Sequence, residues 1–254
     1  MIDITRAASP AEALGLVNPP ALVALVGGGG KSSLMFALGR GLPGRVVMTT
    51  TTRIFASQMS RAAEVCTLAD ENWWQRLYEF DSSLLVVGGV EGDRARGVPP
   101  ELPAKMLACS GVDWVVIEAD GSRMLPVKAP AAHEPVVPNE TSLLVVVVGV
   151  DALSGPIREV SHRPERVSTI TGLTPEETLT PEALATLLTS SQGGLKDAPQ
   201  AARVAMLINK VESASQLEAA RRVARCVLRE PGVERVAIGA LQGRLSSDWE
   251  VCSR

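Results

Sequence analysis

The chain has 254 residues, of which 46% are hydrophobic, 21% charged and only 3% aromatic, and its formal net charge is −3. This hydrophobic content is enough for a large core that Val, Leu, Ala and Ile must fill, as in a parallel sheet covered by helices. The small negative charge gives no broad basic field, so nucleic acid is not an expected partner. The longest apolar run, residues 143–150, is too short to span a bilayer, so no membrane segment is predicted.

The cysteines and histidines give no sign of a zinc site. The four cysteines are scattered without a C-x-x-C pair, and there are only two histidines. Residues 1–20 show no basic stretch followed by an apolar core, so no signal peptide is expected. Scattered cysteines without a signal peptide are typical of a reducing cytoplasm, which is the predicted location.

Short apolar runs alternate with helical patterns along the chain. A helix at residues 4–16 is expected within an N-terminal helical extension (1–20), and a short tail is expected after the last strand. Buried strands are predicted at 22–26, 45–48, 64–68, 84–87, 113–117, 143–148, 202–208 and 233–238. Helices are predicted at 31–40, 72–80, 101–109 and 213–230, with further helix starts at Pro175 and Pro181.

This alternation predicts an α/β fold, with a largely parallel sheet flanked by helices in three layers. No internal repeat and no linker composition divides the chain, so one domain over residues 1–254 is expected. Segments 88–100 and 121–140 are rich in Gly, Pro and charge, and we expect them to be mobile active-site loops in a loop-rich lid. Residues 161–165 are expected to form a polar loop.

The first buried strand leads into a glycine loop that opens a helix, which is the context that a phosphate-binding loop requires. Glycines let successive N–H groups point at an anion, and the helix N-terminus adds unpaired N–H groups. Lys31 would place a point charge on the outer phosphates of ATP or GTP, and the Ser32 hydroxyl would bind Mg²⁺. The residues predicted to bind the nucleotide here are Gly27, Gly28, Gly29, Gly30, Lys31, Ser32 and Ser33.

The loop departs from the Walker A pattern at one position. The pattern has its first glycine where this chain has Leu25, which is still inside the apolar strand. The shorter form resembles the loops of ATP-dependent amide ligases of the Mur type, and the fold is therefore expected to be P-loop NTPase-like. A glycine-rich strand-to-helix turn with a solvated lysine is the structural alternative.

Two further strand ends supply candidate metal ligands. Glu118 and Asp120 follow the strand at 113–117, as acidic residues do in a Walker B element. A carboxylate at this place holds Mg²⁺, or one of the two acids acts as a base. With Lys31 they are the predicted catalytic residues, and which of the two serves the metal is left open. The second strand ends in four threonines, of which Thr50 is the predicted metal ligand because ligands gather at the carboxyl ends of parallel strands. The structural alternatives are a turn at Asp120, a surface charge at Glu118 and an ordinary strand end at the threonines.

Candidate substrate groups lie in the irregular segment at 121–140, whose prolines exclude regular structure. Arg123, Lys128 and His133 are the predicted substrate-contacting residues. Arg94 or Arg96 in the segment 88–100 would clamp a phosphate on closure, or would be solvated loop arginines.

A further strand end carries Asn209 and Lys210, followed two residues later by Glu212. This arrangement resembles the Asn-Lys-x-Asp motif with which P-loop GTPases hold guanine, so Asn209 and Lys210 are predicted to contact the nucleobase. Glutamate in place of aspartate leaves the choice between ATP and GTP open. The alternative is an ordinary strand–turn–helix junction with a capping serine at Ser213 or Ser215.

Together with the glycine loop, several segments give the chain a resemblance to the YqeC family over residues 22–238. They are the threonine segment at 49–55, the acidic strand end at 116–123, the segments 125–130 and 133–135, His-Arg-Pro-Glu at 162–165 and Asn-Lys-Val-Glu at 209–212. Glu-Ala-Asp-Gly-Ser at 118–122 and Lys-Ala-Pro at 128–130 are the most specific parts. Family members more often have Gly-Ala-Gly-Gly-Lys-Thr-Thr in the loop and an aspartate after Asn-Lys-Val. The resemblance implies an accessory protein of selenium-dependent molybdenum hydroxylases, acting in the maturation of the enzyme or its cofactor.

The sequence therefore predicts a Mg²⁺-dependent protein that binds and hydrolyses ATP or GTP, with a molybdenum hydroxylase or a cofactor-maturation protein as its partner. Three alternatives stay open. One is a nucleotide-gated assembly factor with little intrinsic catalysis. Another is a kinase- or ligase-type transferase acting on a cofactor precursor. The last is a degenerate loop that holds no nucleotide.

Overall fold

The structure is a computed structural model that describes residues 2–242 and 249–254. The strands are β1 (Asp3–Ala7), β2 (Ala21–Gly27), β3 (Val46–Thr50), β4 (Arg53–Phe55), β5 (Glu64–Thr67), β6 (Ser83–Val87), β7 (Gly89–Glu91), β8 (Arg94–Arg96), β9 (Trp114–Glu118), β10 (Val127–Lys128), β11 (Leu143–Gly149), β12 (Ser161–His162), β13 (Arg203–Asn209), β14 (Val233–Ile238) and β15 (Trp249–Ser253). The α-helices are α1 (Pro10–Ala13), α2 (Lys31–Gly41), α3 (Trp73–Glu79), α4 (Leu102–Leu107), α5 (Ile157–Val160), α6 (Pro164–Thr171), α7 (Pro181–Thr189) and α8 (Ala214–Val227). Short 3₁₀ helices span Ala56–Arg61 and Val150–Leu153.

A ten-stranded sheet forms the centre of the fold, in the order β1-β15-β14-β13-β11-β2-β9-β3-β6-β5. All pairs from β14 to β5 are parallel, and β15 pairs antiparallel with β14 and with β1. The central strands are buried on both faces, as their continuous apolar sequences require. This confirms the predicted α/β class and the mostly parallel sheet.

Helices cover both faces of the sheet. Successive side chains of a strand point to opposite faces, and β2 shows this alternation. Val23 and Leu25 belong to the hydrophobic cluster that contains Leu34 and Leu38 of α2. Ala24 and Val26, one residue along, belong to the cluster formed with α7 and α8. The sheet is therefore the middle of three layers, and β2 lies at its centre.

Both ends of the chain differ from the expected helix and tail. Residues 3–7 form β1, and only residues 10–13 are helical, with Ser9 as the N-cap and Pro10 in the first turn. The expected tail contains β15, which lies between β1 and β14 in the sheet. Both errors have one cause: these strands are stabilised by pairing between the two ends of the chain, which no local pattern reveals. Residues 243–248 of the expected tail lie outside the described residues.

Three internal segments also differ from expectation. The segment 88–100 is not irregular throughout: β7 and β8 form a hairpin that extends to β4 in a separate three-stranded sheet. The expected polar loop at 161–165 contains β12 and the first turn of α6. Residues 174–177 form a turn in which Glu177 accepts from the Thr174 N–H and hydroxyl, so no helix starts at Pro175. The helix start at Pro181, capped by Thr180, is confirmed.

Among the described residues, none of the helices combines the length and the apolar character needed to cross a bilayer.

Candidate functional site

The glycine loop follows β2 and packs tightly against the end of β11. Gly27, Gly29 and Gly30 have φ angles of 98°, 70° and 132°, a region that strongly favours glycine. A Cβ atom at Gly27 would collide with the Val147 carbonyl, and one at Gly29 would collide with the backbone of Gly149. The loop therefore needs glycine at these positions to pass so close to the neighbouring strand.

The loop ends at the N-terminus of α2. Gly30 is the N-cap and has no side chain to cap the helix, so the first N–H groups of α2 have neither an intrahelical partner nor a side-chain cap from this residue. Residues 29–33 line a cleft of about 830 Å³, into which this end of the helix faces. An uncapped helix N-terminus with glycine before it favours an anion, because the N–H groups and the helix dipole act together.

Lys31 is folded back onto the loop. Its Nζ donates to the Gly27 carbonyl at 2.6 Å and lies 3.3 Å from Asp120 Oδ1 and 3.8 Å from Glu118 Oε1. The side chain is 2% exposed. The lysine and both predicted acids are thus brought together, and the ammonium is held by protein groups in this structure.

Glu118 contacts the first serine of the helix. Ser32 Oγ donates to Glu118 Oε2 at 2.7 Å. Burial raises the pKa of Glu118, and this effect is opposed by nearby Lys31 and by the Ser32 hydrogen bond. A hydroxyl and a carboxylate at this distance are both oxygen ligands of the kind that Mg²⁺ prefers.

These donors fit a Mg²⁺ ion that arrives with phosphates. The described residues contain no group of three or more His, Cys, Asp or Glu side chains that would hold a metal by themselves. Mg²⁺ is usually bound through one or two protein ligands plus substrate phosphates and water. Ser32 and Glu118 would supply the protein ligands.

Asp120 is saturated by protein donors. Both of its carboxylate oxygens lie 3.1 Å from the Gly27 N–H, and Lys31 and Lys128 lie 3.3 and 3.1 Å from it. The residue is only 2% exposed. Because these contacts occupy Asp120, they favour Glu118 as the metal ligand. Asp120 instead holds Gly27, the first glycine of the loop, in place.

Thr50 lies beside Glu118 but is engaged with the backbone. Its hydroxyl donates to the Glu118 carbonyl at 2.9 Å and accepts from the Thr52 N–H at 3.0 Å. It is fully buried and is not part of the cleft wall. The structure gives no support to Thr50 as a metal ligand.

The predicted nucleobase residues have different surroundings. Asn209 Nδ2 donates to the Gly29 carbonyl at 2.7 Å, and Asn209 Oδ1 accepts from the Leu241 N–H at 2.9 Å. Both ends of the amide are therefore used to tie the glycine loop to the chain after β14. Lys210 lines the cleft and pairs with Asp151 at 2.7 Å. Ser213 caps α8, as the alternative interpretation of this segment predicts.

The three predicted substrate residues lie in different surroundings in the structure. Arg123 is exposed and lines the cleft. Lys128 is buried: its Nζ contacts Asp120 at 3.1 Å, Glu134 at 2.6 Å and the Gly121 carbonyl at 2.7 Å. His133 is 79% exposed at its side chain and lies outside the cleft wall. Only Arg123 is brought to the cleft.

Arg163, to which the sequence assigns no site role, completes a chain of charged side chains beside the cleft. Arg163 Nη1 and Lys128 Nζ donate to the same Glu134 oxygen at 2.9 and 2.6 Å. Burial alone would raise the pKa of Glu134, but the hydrogen bonds from Arg163 and Lys128 outweigh it and lower the pKa to about 2. The residues of this ion pair are 29 positions apart, so no local spacing indicates it.

His162, which precedes Arg163, also lines the cleft. Burial lowers the pKa of its imidazole, and the nearby positive charges of Arg163, Lys128 and Arg123 lower it further. The imidazole is therefore neutral at pH 7. Its Nδ1 atom is buried and has no hydrogen-bond partner among the described residues.

The comparisons with known proteins agree with the resemblance seen in the sequence. The family model described as YqeC protein matches residues 23–165, which include the glycine loop, both acids and Arg163. The Escherichia coli (strain K12) protein called "Uncharacterized protein YqeC" is 32% identical over 237 residues, covering 90% of this chain and 91% of that relative. No solved structure matches the chain significantly.

Proposed function

This chain belongs to the YqeC family, and on that premise we propose that it is a P-loop NTPase-like accessory protein that binds and hydrolyses ATP or GTP with Mg²⁺. The observation that best supports the proposal is the uncapped N-terminus of α2 at the base of the cleft, with Ser32 and Glu118 hydrogen-bonded beside it. This arrangement offers N–H donors to phosphates and two oxygen ligands to the metal within one helical turn.

Each residue of the loop has a distinct task in this proposal. The N–H groups of residues 30–33 bind the phosphate oxygens. Ser32 and Glu118 would hold Mg²⁺, which would neutralise negative charge on the phosphates. Lys31 exchanges the Gly27 carbonyl and Asp120 for a phosphate oxygen when the nucleotide binds. Lys128 stays 3.1 Å from Asp120, so that carboxylate keeps a positive partner when Lys31 leaves.

Hydrolysis transfers the terminal phosphoryl group to water. Water oxygen forms a bond to the γ-phosphorus, the bond from that phosphorus to the bridging oxygen breaks, and the nucleoside diphosphate leaves with the electron pair. The proton released by the water passes to a phosphate oxygen or to a nearby carboxylate.

The cellular role comes from the family resemblance. We propose that the protein acts in the cytoplasm on a selenium-dependent molybdenum hydroxylase or on a protein that matures the cofactor of such an enzyme.

One observation favours a gated assembly factor as a second candidate. Lys31 is held at 2.6 Å by the Gly27 carbonyl, so nucleotide binding must rearrange the loop before catalysis. A kinase- or ligase-type transfer to a cofactor precursor would use the same phosphate site.

Calorimetric titration with ATP and with GTP, each with and without Mg²⁺, tests the proposal. We expect one nucleotide to bind per chain, with Mg²⁺ increasing the affinity. Ser32→Ala should weaken Mg²⁺-dependent binding about tenfold, since a hydroxyl that contacts a charged group is lost. Ser33→Ala is the matched control, because it keeps the N–H group and removes a hydroxyl whose only side-chain contact within the described residues is Gln242 at 3.4 Å.

Heat from neither nucleotide would refute nucleotide binding and favour a degenerate loop. Equal effects of the two serine variants would refute the role of Ser32 with the metal. Phosphate release measured with and without a candidate partner separates the two functions. Turnover by the protein alone supports the NTPase, whereas turnover only with the partner supports the gated factor.

A further inference from the structure

Strained backbone is concentrated around the cleft. Among the described residues, five that are not glycine have a positive φ: Arg123, Met124, Arg163, Asp197 and Lys210. All of them except Asp197 line the cleft. Left-handed backbone is unfavourable for residues with a Cβ atom, and it clusters where function requires a side chain to be held in place. Two of these residues, Arg123 and Met124, are consecutive, which is rarer still.

The strained positions place positive charge on the cleft wall. The wall contains six cationic side chains, Lys31, Arg53, Arg94, Arg123, Arg163 and Lys210, against only two carboxylates, those of Glu118 and Glu134. Lys31 and Lys210 are already paired with acids. Among the described residues, Arg53 and Arg123 have neither an ion pair nor a side-chain hydrogen bond, although both lie on the cleft.

The Arg163 side chain on the cleft wall is held in place by other protein groups before any ligand binds. Arg163 Nη1 donates to Glu134 at 2.9 Å and to the Ala129 carbonyl at 3.3 Å. These contacts leave Nε and Nη2 unused, because a guanidinium has donors on three nitrogens. The side chain is 19% exposed, so part of it faces the cleft while the rest is held by protein. A guanidinium held in this way loses little freedom when it binds a ligand.

The glycine loop and the arginines are parts of the same cleft but have different chemistry. The loop presents backbone N–H groups, with a hydroxyl and a carboxylate for a metal. The arginines present planar donor pairs that match the two oxygens of a carboxylate or phosphate. The volume of about 830 Å³ is near the upper end of the range of about 300–1,000 Å³ for small-molecule sites. A second ligand beside the nucleotide phosphates is consistent with that size.

We propose that Arg53, Arg123 and Arg163 form an oxyanion-binding subsite for a second substrate that carries a carboxylate or phosphate group. This inference rests on the proposed nucleotide function, since it names the class of molecule on which the nucleotide chemistry acts. It replaces Lys128 and His133 of the sequence prediction by two arginines that line the same cleft as Arg123. The other source of the same chemistry is the nucleotide itself, whose terminal phosphate would then contact the arginines.

The test uses inorganic phosphate as the probe for the second subsite. The full chain is first saturated with Mg²⁺ and a non-hydrolysable analogue of the nucleotide that binds, and phosphate is then titrated by calorimetry. Arg53→Gln and Arg123→Gln remove exposed charges that make no ion pair within the described residues. Arg166→Gln is the matched control, because Arg166 is also exposed, makes no ion pair within the described residues and does not line the cleft.

We expect the wild type to bind one phosphate per chain while the nucleotide is present. Arg53→Gln and Arg123→Gln should each weaken phosphate binding about tenfold, as expected for the loss of a charge-assisted contact. Arg166→Gln should leave it unchanged, and all three variants should keep the wild-type nucleotide affinity and thermal unfolding midpoint.

Two results would overturn the proposal. One is that phosphate does not bind to the nucleotide-loaded wild type. The other is that Arg53→Gln and Arg123→Gln weaken nucleotide binding instead, which assigns the arginines to the nucleotide's own phosphates. Failure of the proposed nucleotide function gives a different result, because the wild type then binds neither ATP nor GTP. In that case phosphate is titrated alone, and binding that depends on Arg123 but not on Ser32 supports the subsite without the nucleotide.

Discussion

Replacing Glu134 by Gln should reveal how strongly the Glu134 carboxylate stabilises the fold. The substitution keeps the size of the side chain and removes the charge that accepts hydrogen bonds from Lys128 at 2.6 Å and Arg163 at 2.9 Å. Lys128 keeps Asp120 and the Gly121 carbonyl as partners. The decrease in the free energy of unfolding should therefore measure the contribution of Glu134 itself, and not the cost of leaving Lys128 buried without a partner.

The magnitude follows from the pKa of Glu134, which is lowered to about 2 from an ordinary value of 4.5. A change of one unit in pKa corresponds to about 1.4 kcal/mol, so the lowered pKa corresponds to about 3 kcal/mol of stabilisation of the folded state. The side chain is only 13% exposed, so solvent screens it little. Because the pKa is lowered by folding, the contribution is complete above pH 4.5 and is lost as the pH falls towards 2.

Urea unfolding followed by circular dichroism at pH 7 and pH 3 measures the effect. We expect Glu134→Gln to lower the free energy of unfolding by about 3 kcal/mol at pH 7 and by about half as much at pH 3. Glu140→Gln is the control, since Glu140 is exposed and makes no ion pair among the described residues. A loss at pH 7 below about 1 kcal/mol, the value of an exposed ion pair, would refute the reasoning. Equal losses at both pH values would do the same.

Three further variants test the glycine loop and the sheet. Gly29→Ala should destabilise the fold and abolish nucleotide binding, because its Cβ would collide with Gly149, whereas Gly41→Ala has open space and should change stability by less than about 1 kcal/mol. Asn209→Ala should cost about 2 kcal/mol in urea unfolding, since two backbone groups lose their partner; wild-type stability would contradict this. Removing residues 249–254 takes away the partner strand of β1 and leaves β14 paired only with β13, so a cooperative thermal transition in that variant would refute the role of β15.

The sequence determined the parts of the site that lie close together along the chain. The strand, glycines, lysine and serine from β2 into α2 are adjacent in sequence, and the structure forms the expected strand, loop and helix there. Glu118 and Asp120 could be placed near the loop because parallel strands bring their carboxyl ends to one edge of the sheet. Lys31 lies within 4 Å of both acids, as that rule predicts.

The tertiary structure alone decided which distant charges meet. Lys128 has the same loop-like sequence context as Arg123, yet one is buried between two carboxylates and the other is exposed on the cleft. Arg163 reaches Glu134 only because β12 pairs with β10, and Arg53 reaches the cleft on a strand of the small sheet. Periodicity and spacing describe neighbours along the chain, whereas burial and ion pairing depend on segments that fold together from far apart.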